Sequence, residues 1–241
     1  MNKITAILVT ICFVLIVPKG FAQKKFTYGV GVDIFQTKLN NVDRENFSGY
    51  GHSMPGFTQN DQLGFGATFL AQTPIYKNLS FETGLGITNF NSQFHFNYIR
   101  KNTNDSVNTK LNISLFYAKV PIYLTYNLSL NKRSALSFSL GADLRFLFWW
   151  KDNYQEIIWE FIYLPTGRYS FIIPSLKAAI GYDFQLFNSN NIIRFETFFG
   201  QDLWKFTFGG DHHLLGWGFY KNLSRASYQY YGLSLKYFFT K

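Results

Sequence analysis

Sulfur is almost absent from the chain. Its single Cys, Cys12, sits in an apolar stretch near the start, and no second Cys follows in 241 residues. A disulfide framework is excluded. If the leading segment is removed on export, metal thiolates and Cys nucleophiles are excluded with it. Charge is scarce too, at 15% of residues, and it leans positive, with 23 Lys and Arg against 14 Asp and Glu. Long apolar runs are missing beyond position 17. Nothing later in the sequence reaches the roughly 18 consecutive apolar residues that a membrane-crossing helix requires. Aromatic residues, by contrast, make up 20% of the chain.

The first 22 residues, MNKITAILVTICFVLIVPKGFA, place a Lys ahead of an apolar run from Ile4 to Val17 and end on the small Ala22. This is the order of a secretory signal peptide, too short to span a bilayer comfortably, and cleavage before Gln23 is expected. A single domain over 23–241 is then left, and losing Lys3 and Lys19 lowers its formal charge from +9 to +7. An exported, basic chain without a transmembrane helix is either a soluble secreted protein or a transmembrane β-barrel.

Periodicity favours the barrel. Strands of such barrels alternate lipid-facing apolar residues with small or polar lumen-facing ones over roughly 10 residues. The sequence has eight segments of this kind: FTYGVGVDIF, QLGFGATFLAQT, LSFETGLGIT, FYAKVPIYLTYNL, ALSFSLGADLRFLFWW, IIPSLKAAIGYDFQL, IIRFETFFGQD and YQYYGLSLKYFF. In the first, Tyr28, Val30, Val32 and Ile34 oppose Gly29, Gly31 and Asp33; in the fifth, Leu136, Phe138, Leu140 and Leu144 oppose Ser137, Ser139, Asp143 and Arg145. Connections alternate in length. Short turns lie at 73–78, 131–134 and 188–191, and long loops at about 37–61, 97–110, 151–168 and 209–225. The expected fold is all-β, a transmembrane eight-stranded antiparallel up-and-down barrel with short periplasmic turns and long outer loops.

Interfacial aromatics agree with that orientation. Trp149, Trp150, Trp159, Trp204 and Trp217 all fall near the long loops, and Tyr28, Tyr76, Tyr126 and Tyr237 mark the opposite ends, as two girdles would. Pro121 and Pro174 lie within strands and each removes a ladder donor, so bulges are expected there. The alternation slips around Asn91, before Leu115 and after Gly200.

Once the strands are oriented, the charges separate into two groups. Five acids (Asp33, Glu82, Asp143, Asp183, Glu196) and five bases (Lys119, Arg145, Lys177, Arg194, Lys236) fall on the lumen side. An eight-stranded barrel holds side chains and little else, so these groups are expected to pair across the lumen and plug it. An ion or proton relay is the functional alternative. Lys24, Lys25, Lys77, Lys132, Arg133 and Lys241 collect at the turns and termini and form a basic periplasmic rim. The rim suits anionic headgroups of outer-membrane lipid, or an acidic periplasmic partner. No nucleic-acid recognition element is visible.

Catalytic and metal signatures are weak. His52, His95, His212 and His213 fall in outer loops or strand extensions, and Asp211 with the adjacent His212 and His213 lacks the spacing of a zinc motif. Ser92 and His95 are the best candidates for a rim dyad acting on lipid. The repeated Gly-x-Gly at 29–31, 64–66 and 84–86 lies inside strands with no helix after it, and is no nucleotide fingerprint. The third long loop is unusually apolar, which suits a hairpin extension or a binding patch.

At YAKVPIYLTYNL (117–128), after the Gly-rich FETGLGI, the chain resembles the PorT-like outer-membrane β-barrel proteins abundant in Bacteroidetes. Their middle strand often carries a charged residue, an aliphatic residue and Pro before an alternating apolar run, and Lys119, Val120 and Pro121 stand in those places. The last strand is similar to a barrel-assembly signal, with Gly232 and then Leu235, Tyr237 and Phe239, but it ends on Thr240 and Lys241 rather than an aromatic. The resemblance implies residence in the outer membrane, insertion by the barrel-assembly machinery and no cofactor. It leaves the activity open, since some members serve the gliding-associated type IX secretion system and most have no assigned role.

Overall fold

The computed structural model describes residues 26–40, 53–99, 106–152, 171–186, 191–204, 206–208, 211–213, 219–221 and 224–239. The leading segment lies outside them. Among the described residues every regular element is a strand: β1 (Thr27–Asn40), β2 (Ser53–Asn60), β3 (Gln62–Tyr76), β4 (Leu79–Ile99), β5 (Ser106–Ser129), β6 (Ser134–Asp152), β7 (Ile172–Gln185), β8 (Ile192–Asp202), β9 (Phe206–Phe208), β10 (Asp211–His213), β11 (Phe219–Lys221) and β12 (Ser224–Phe239).

Eight of these close a barrel in the order β1-β3-β4-β5-β6-β7-β8-β12, with β12 returning to pair with β1. That seam runs antiparallel from Tyr28↔Phe239 to Asn40↔Ser227. Every wall pairing is antiparallel between neighbours in the order, so the barrel has no open sheet edge. The strand β2 continues the line of β3 beyond Asp61 and pairs with the far end of β4, while β9 pairs with the start of β12.

The period-2 sequence pattern becomes an inside-out protein. Val30, Val32, Ile34, Phe65, Phe69, Leu85, Ile87, Leu140, Ile180, Phe195 and Leu233 are all exposed on the outer surface, and the charged residues lie inside. No water-soluble protein leaves such a continuous apolar band uncovered, whereas lipid solvates it. Tyr28, Tyr76 and Tyr126 are exposed towards the short-turn end and Trp149, Trp150 and Trp204 towards the other, while Trp159 and Trp217 lie outside the described residues.

The turns are tighter than the sequence suggested. Strand pairing runs to Tyr76↔Leu79, leaving Lys77 and Asn78 as the turn, with Lys77 in the left-handed region at φ 33°. In the next short turn the Asn131 side-chain oxygen accepts the backbone N–H of Arg133 at 2.8 Å and of Ser134 at 2.9 Å. That side chain replaces a backbone acceptor, which is why Asn recurs in turns.

Pro121 and Pro174 do not bulge the wall. The register passes unbroken through Pro121↔Asp143 and Leu144↔Pro174. Loss of the Pro121 N–H is felt on its other side, where the β4–β5 ladder skips from Thr83↔Ile122 to Gly86↔Lys119 without changing register. There the Thr83 hydroxyl donates to the Pro121 carbonyl at 2.8 Å. The irregularities fall elsewhere. One is Phe148, the extra residue between Phe116↔Trp149 and Tyr117↔Leu147, and others lie at Pro74/Tyr76 and Ser53/Gly56. Around Asn91 the inward set simply continues through Phe90 and Ser92, and after Gly200 it continues to Asp202.

Candidate functional site

The lumen is where the chemistry-bearing side chains converge. Glu82, Lys119, Asp143, Arg145, Lys177, Asp183, Arg194, Glu196 and Lys236 are buried there, and the Asp33 side chain is only 8% exposed. Their inward direction follows from strand alternation, and room for them follows from glycines on facing positions. At Gly141 a Cβ would come 2.7 Å from the Tyr123 Cα and run into the Ile122 carbonyl. Neither obstacle is a movable side-chain tip.

Nearer the short turns lies a compact ionic layer. Arg194 of β8 donates from Nε to Asp183 Oδ1 at 2.6 Å and from Nη2 to Asp183 Oδ2 at 2.8 Å, a bidentate pair between neighbouring strands. Its Nη1 crosses the lumen to Glu82 Oε2 of β4 at 3.2 Å. Lys236 of β12 donates to the other oxygen of Glu82 at 2.6 Å and lies 2.9 Å from Glu196 Oε2. Glu196 in turn lies 3.7 Å from Arg194 Nη1, which closes a ring of two acids and two bases. Lys119 of β5 reaches across the lumen and donates to Asp33 of β1 at 2.8 Å.

A second layer, towards the long loops, is aromatic. Phe90 stands at its centre, with ring centroids of Phe35 and Tyr228 at 5.0 Å, Tyr230 at 5.2 Å and Tyr117 at 5.8 Å. The Arg145 guanidinium lies over Phe90 at 4.2 Å, with Tyr117 at 5.2 Å and Tyr230 at 5.6 Å. Arginine suits such a cage because its planar, weakly hydrated head stacks on ring faces. Its Nη2 donates to Asp202, while its Nε and Nη1 have no hydrogen-bond acceptor. The other Asp202 oxygen accepts the Tyr228 backbone N–H at 3.0 Å. The Ser92 and Tyr228 hydroxyls meet at 2.8 Å, and those of Ser175 and Tyr230 at 2.9 Å.

Two of the expected lumen charges, Asp143 and Lys177, make no direct ion pair among the described residues. Asp143 accepts the Tyr123 hydroxyl, and Lys177 lies 3.8 Å from the Phe198 ring centroid and 5.6 Å from that of Tyr123. Both face a cavity of ≈ 10 Å³ between the layers, about the least volume that admits a water molecule. With Asp202 included, six acids oppose five bases in the lumen among the described residues. Sequence reasoning misses Asp202 because the outward, apolar half of the alternation lapses at Gln201, after Gly200. The unbroken spacing Arg194, Glu196, Phe198, Gly200, Asp202 was the signal for it.

At the rim, Lys77, Lys132 and Arg133 are exposed at the short turns, and Lys24, Lys25 and Lys241 lie outside the described residues. The Ser92 and His95 dyad does not form. Three residues apart on one strand, they take opposite faces: Ser92 is buried in the lumen against Tyr228, while His95 lies outside against Asn60 and Gln93. Asp211, His212 and His213 form β10, paired in backbone register with Lys221, Tyr220 and Phe219. No group of three or more His, Cys, Asp or Glu placed to hold a metal occurs among the described residues.

No protein-family model and no curated protein matches the sequence. Solved structures do. The outer membrane protein OprG from Pseudomonas aeruginosa aligns with a TM-score of 0.53 at 10% identity, over 90% of this chain and 98% of that one. The outer membrane protein AlkL gives 0.43 at 12% identity, over 90% and 92%, and the outer membrane protease OmpT from Escherichia coli 0.43 at 10%, over 89% and 98%. The likeness to OprG shows the fold: a closed eight-stranded antiparallel barrel of the outer-membrane kind.

Proposed function

We propose that the chain is an integral outer-membrane barrel of the PorT-like kind whose lumen is closed to ions, and that it acts structurally or by interaction at its two ends. The filling of the lumen at two successive levels carries this reading. The Glu82–Arg194–Lys236–Glu196 ring spans β4, β8 and β12 at one level, and Arg145 packed among Phe90, Tyr117 and Tyr230 closes the next. A diffusion pathway needs a continuous water column, and side chains locked by crossing ion pairs do not provide one. Planar-bilayer recording of the purified barrel tests it: the expected trace is flat, and a steady, large conductance overturns the closed lumen.

A second reading, service as an accessory of protein secretion through an acidic periplasmic partner, has the exposed Lys77, Lys132 and Arg133 in its favour. Crosslinking in intact cells from the 77–78 and 131–133 turns is expected to capture one protein partner. Crosslinks to lipid alone would reduce the rim to headgroup contact.

A further inference from the structure

Beyond the apolar band the outer surface changes character on adjacent strands. Along β4 the outward residues pass from Leu85 and Ile87 to Asn91, Gln93 and His95; along β5 they pass from Phe116 to Ser114, Asn112 and Lys110. On β1 Ile34 gives way to Gln36 and Lys38, and on β12 Tyr231 gives way to Gln229. These are amides far more often than charges. They are also already organised. Asn60 lies 3.0 Å from His95 Nε2 and donates to Gln93 at 3.2 Å; His95 lies 2.9 Å from Gln93, and Gln93 donates to Asn112 at 2.8 Å. To one side, Tyr231 donates to Gln36 at 2.7 Å, and Gln36 donates to Asp61 at 3.3 Å.

We propose that this amide ladder binds the saccharide headgroups of the outer-leaflet glycolipid. The inference rests on the outer-membrane orientation given above, with the long-loop end facing out. A primary amide offers two donors and two acceptor lone pairs in one plane, so Asn60 keeps its carbonyl oxygen and Gln93 one N–H beyond the bonds they make within the ladder. Neighbouring hydroxyls of a sugar present the same mixture of donors and acceptors. The exposed Tyr231 ring adds a face for sugar C–H groups, and the exposed Lys38 and Lys110 supply positive charge for the anionic substituents of such glycolipids. Because the side chains hold one another in place, little ordering cost attends binding. Position selects the ligand: the ladder begins where the lipid-facing residues end, at the depth of a headgroup and not of an acyl chain.

The full-length mature barrel is to be reconstituted in nanodiscs of phosphatidylcholine doped with purified lipopolysaccharide, captured, washed, and its bound glycolipid quantified by mass spectrometry. Wild type is expected to retain glycolipid several-fold above the bulk ratio. The N60A/Q93A/N112A variant is expected to lose that enrichment, and K132A/R133A to keep it. Retention at the bulk ratio by wild type, or unchanged retention by the triple variant, overturns the proposal. Orientation is read separately. Lys110→Cys is expected to react with an impermeant maleimide on intact cells and Lys132→Cys not to. The reverse pattern refutes the orientation and the proposal together, whereas correct labelling without enrichment refutes the glycolipid site alone.

Discussion

Arg145 and Asp202 form a fully buried ion pair between β6 and β8, with side chains 1% and 0% exposed. Asp202 is the only carboxylate within ion-pairing distance of Arg145 among the described residues, and Arg145 is its only such cation. Removing one partner therefore strands a charge in a dry interior, a loss of about 3–5 kcal/mol for pairs of this kind. Asp202→Ala is expected to lower stability by that order in urea unfolding from lipid vesicles, followed by tryptophan fluorescence. The double variant D202A/R145M is expected to recover most of the loss. Equal stability of D202A and wild type would show that the pair holds nothing.

Lys177 and Lys236 are both buried lysines of the lumen, but only Lys236 contacts carboxylates, at 2.6 Å from Glu82 and 2.9 Å from Glu196. Lys177 packs its ammonium on Phe198 instead. Lys177 makes no direct ion pair, and the carboxylates it acts on at longer range, Asp33 and Glu196, keep Lys119 and Lys236, so an apolar side chain of similar length in its place removes a desolvation cost without leaving a paired carboxylate alone. Lys177→Met is thus expected to be neutral or stabilising, and Lys236→Met to destabilise by about 3 kcal/mol or more. The two variants compared in one unfolding series decide it, and the opposite ranking would sink the assignment.

The period of two, read across eight segments, was enough to place strand faces, order and closure, because lipid outside and packed charge inside impose opposite demands on alternate residues. It placed Asp143 and Arg145 in the lumen for the same reason. Partners were a different matter. Arg145 meets Asp202 two strands away, and Lys119 meets Asp33, because shear and side-chain reach decide which inward groups touch. The aromatic layer was hidden as well: Phe35, Phe90 and Phe198 are apolar residues on inward positions, which a simple apolar-outside rule assigns no role. Pro121 looked like a bulge, yet a proline can keep register if only one of its neighbours loses a hydrogen bond.

Gly141 is packed against backbone, with the Tyr123 Cα 2.7 Å from the position a Cβ would take. Backbone of a closed barrel cannot give way locally without shifting the whole β5–β6 ladder. Gly141→Ala is accordingly expected to lower the fraction that refolds into detergent micelles, measured by the heat-modifiable shift on gels. Ala142→Gly, one position away on the outer face, is the control and is expected to refold like wild type.

The two lumen layers act in series, so opening either one alone leaves the other as the barrier. Arg145→Ser with Phe90→Ala removes the centre of the aromatic layer, and Arg194→Ser with Glu82→Ser removes the crossing pair of the ionic layer. Each pair of substitutions is expected to leave planar-bilayer traces flat, while the four together are expected to give a steady cation-permeable current, since Asp33, Asp143, Asp183, Glu196 and Asp202 then outnumber Lys119, Lys177 and Lys236. Folded protein is selected first by its gel mobility, so that a leak from misfolded material is not counted. A full current from the R145S/F90A variant alone would mean that the ionic ring is no barrier, and that closure rests on the aromatic layer only.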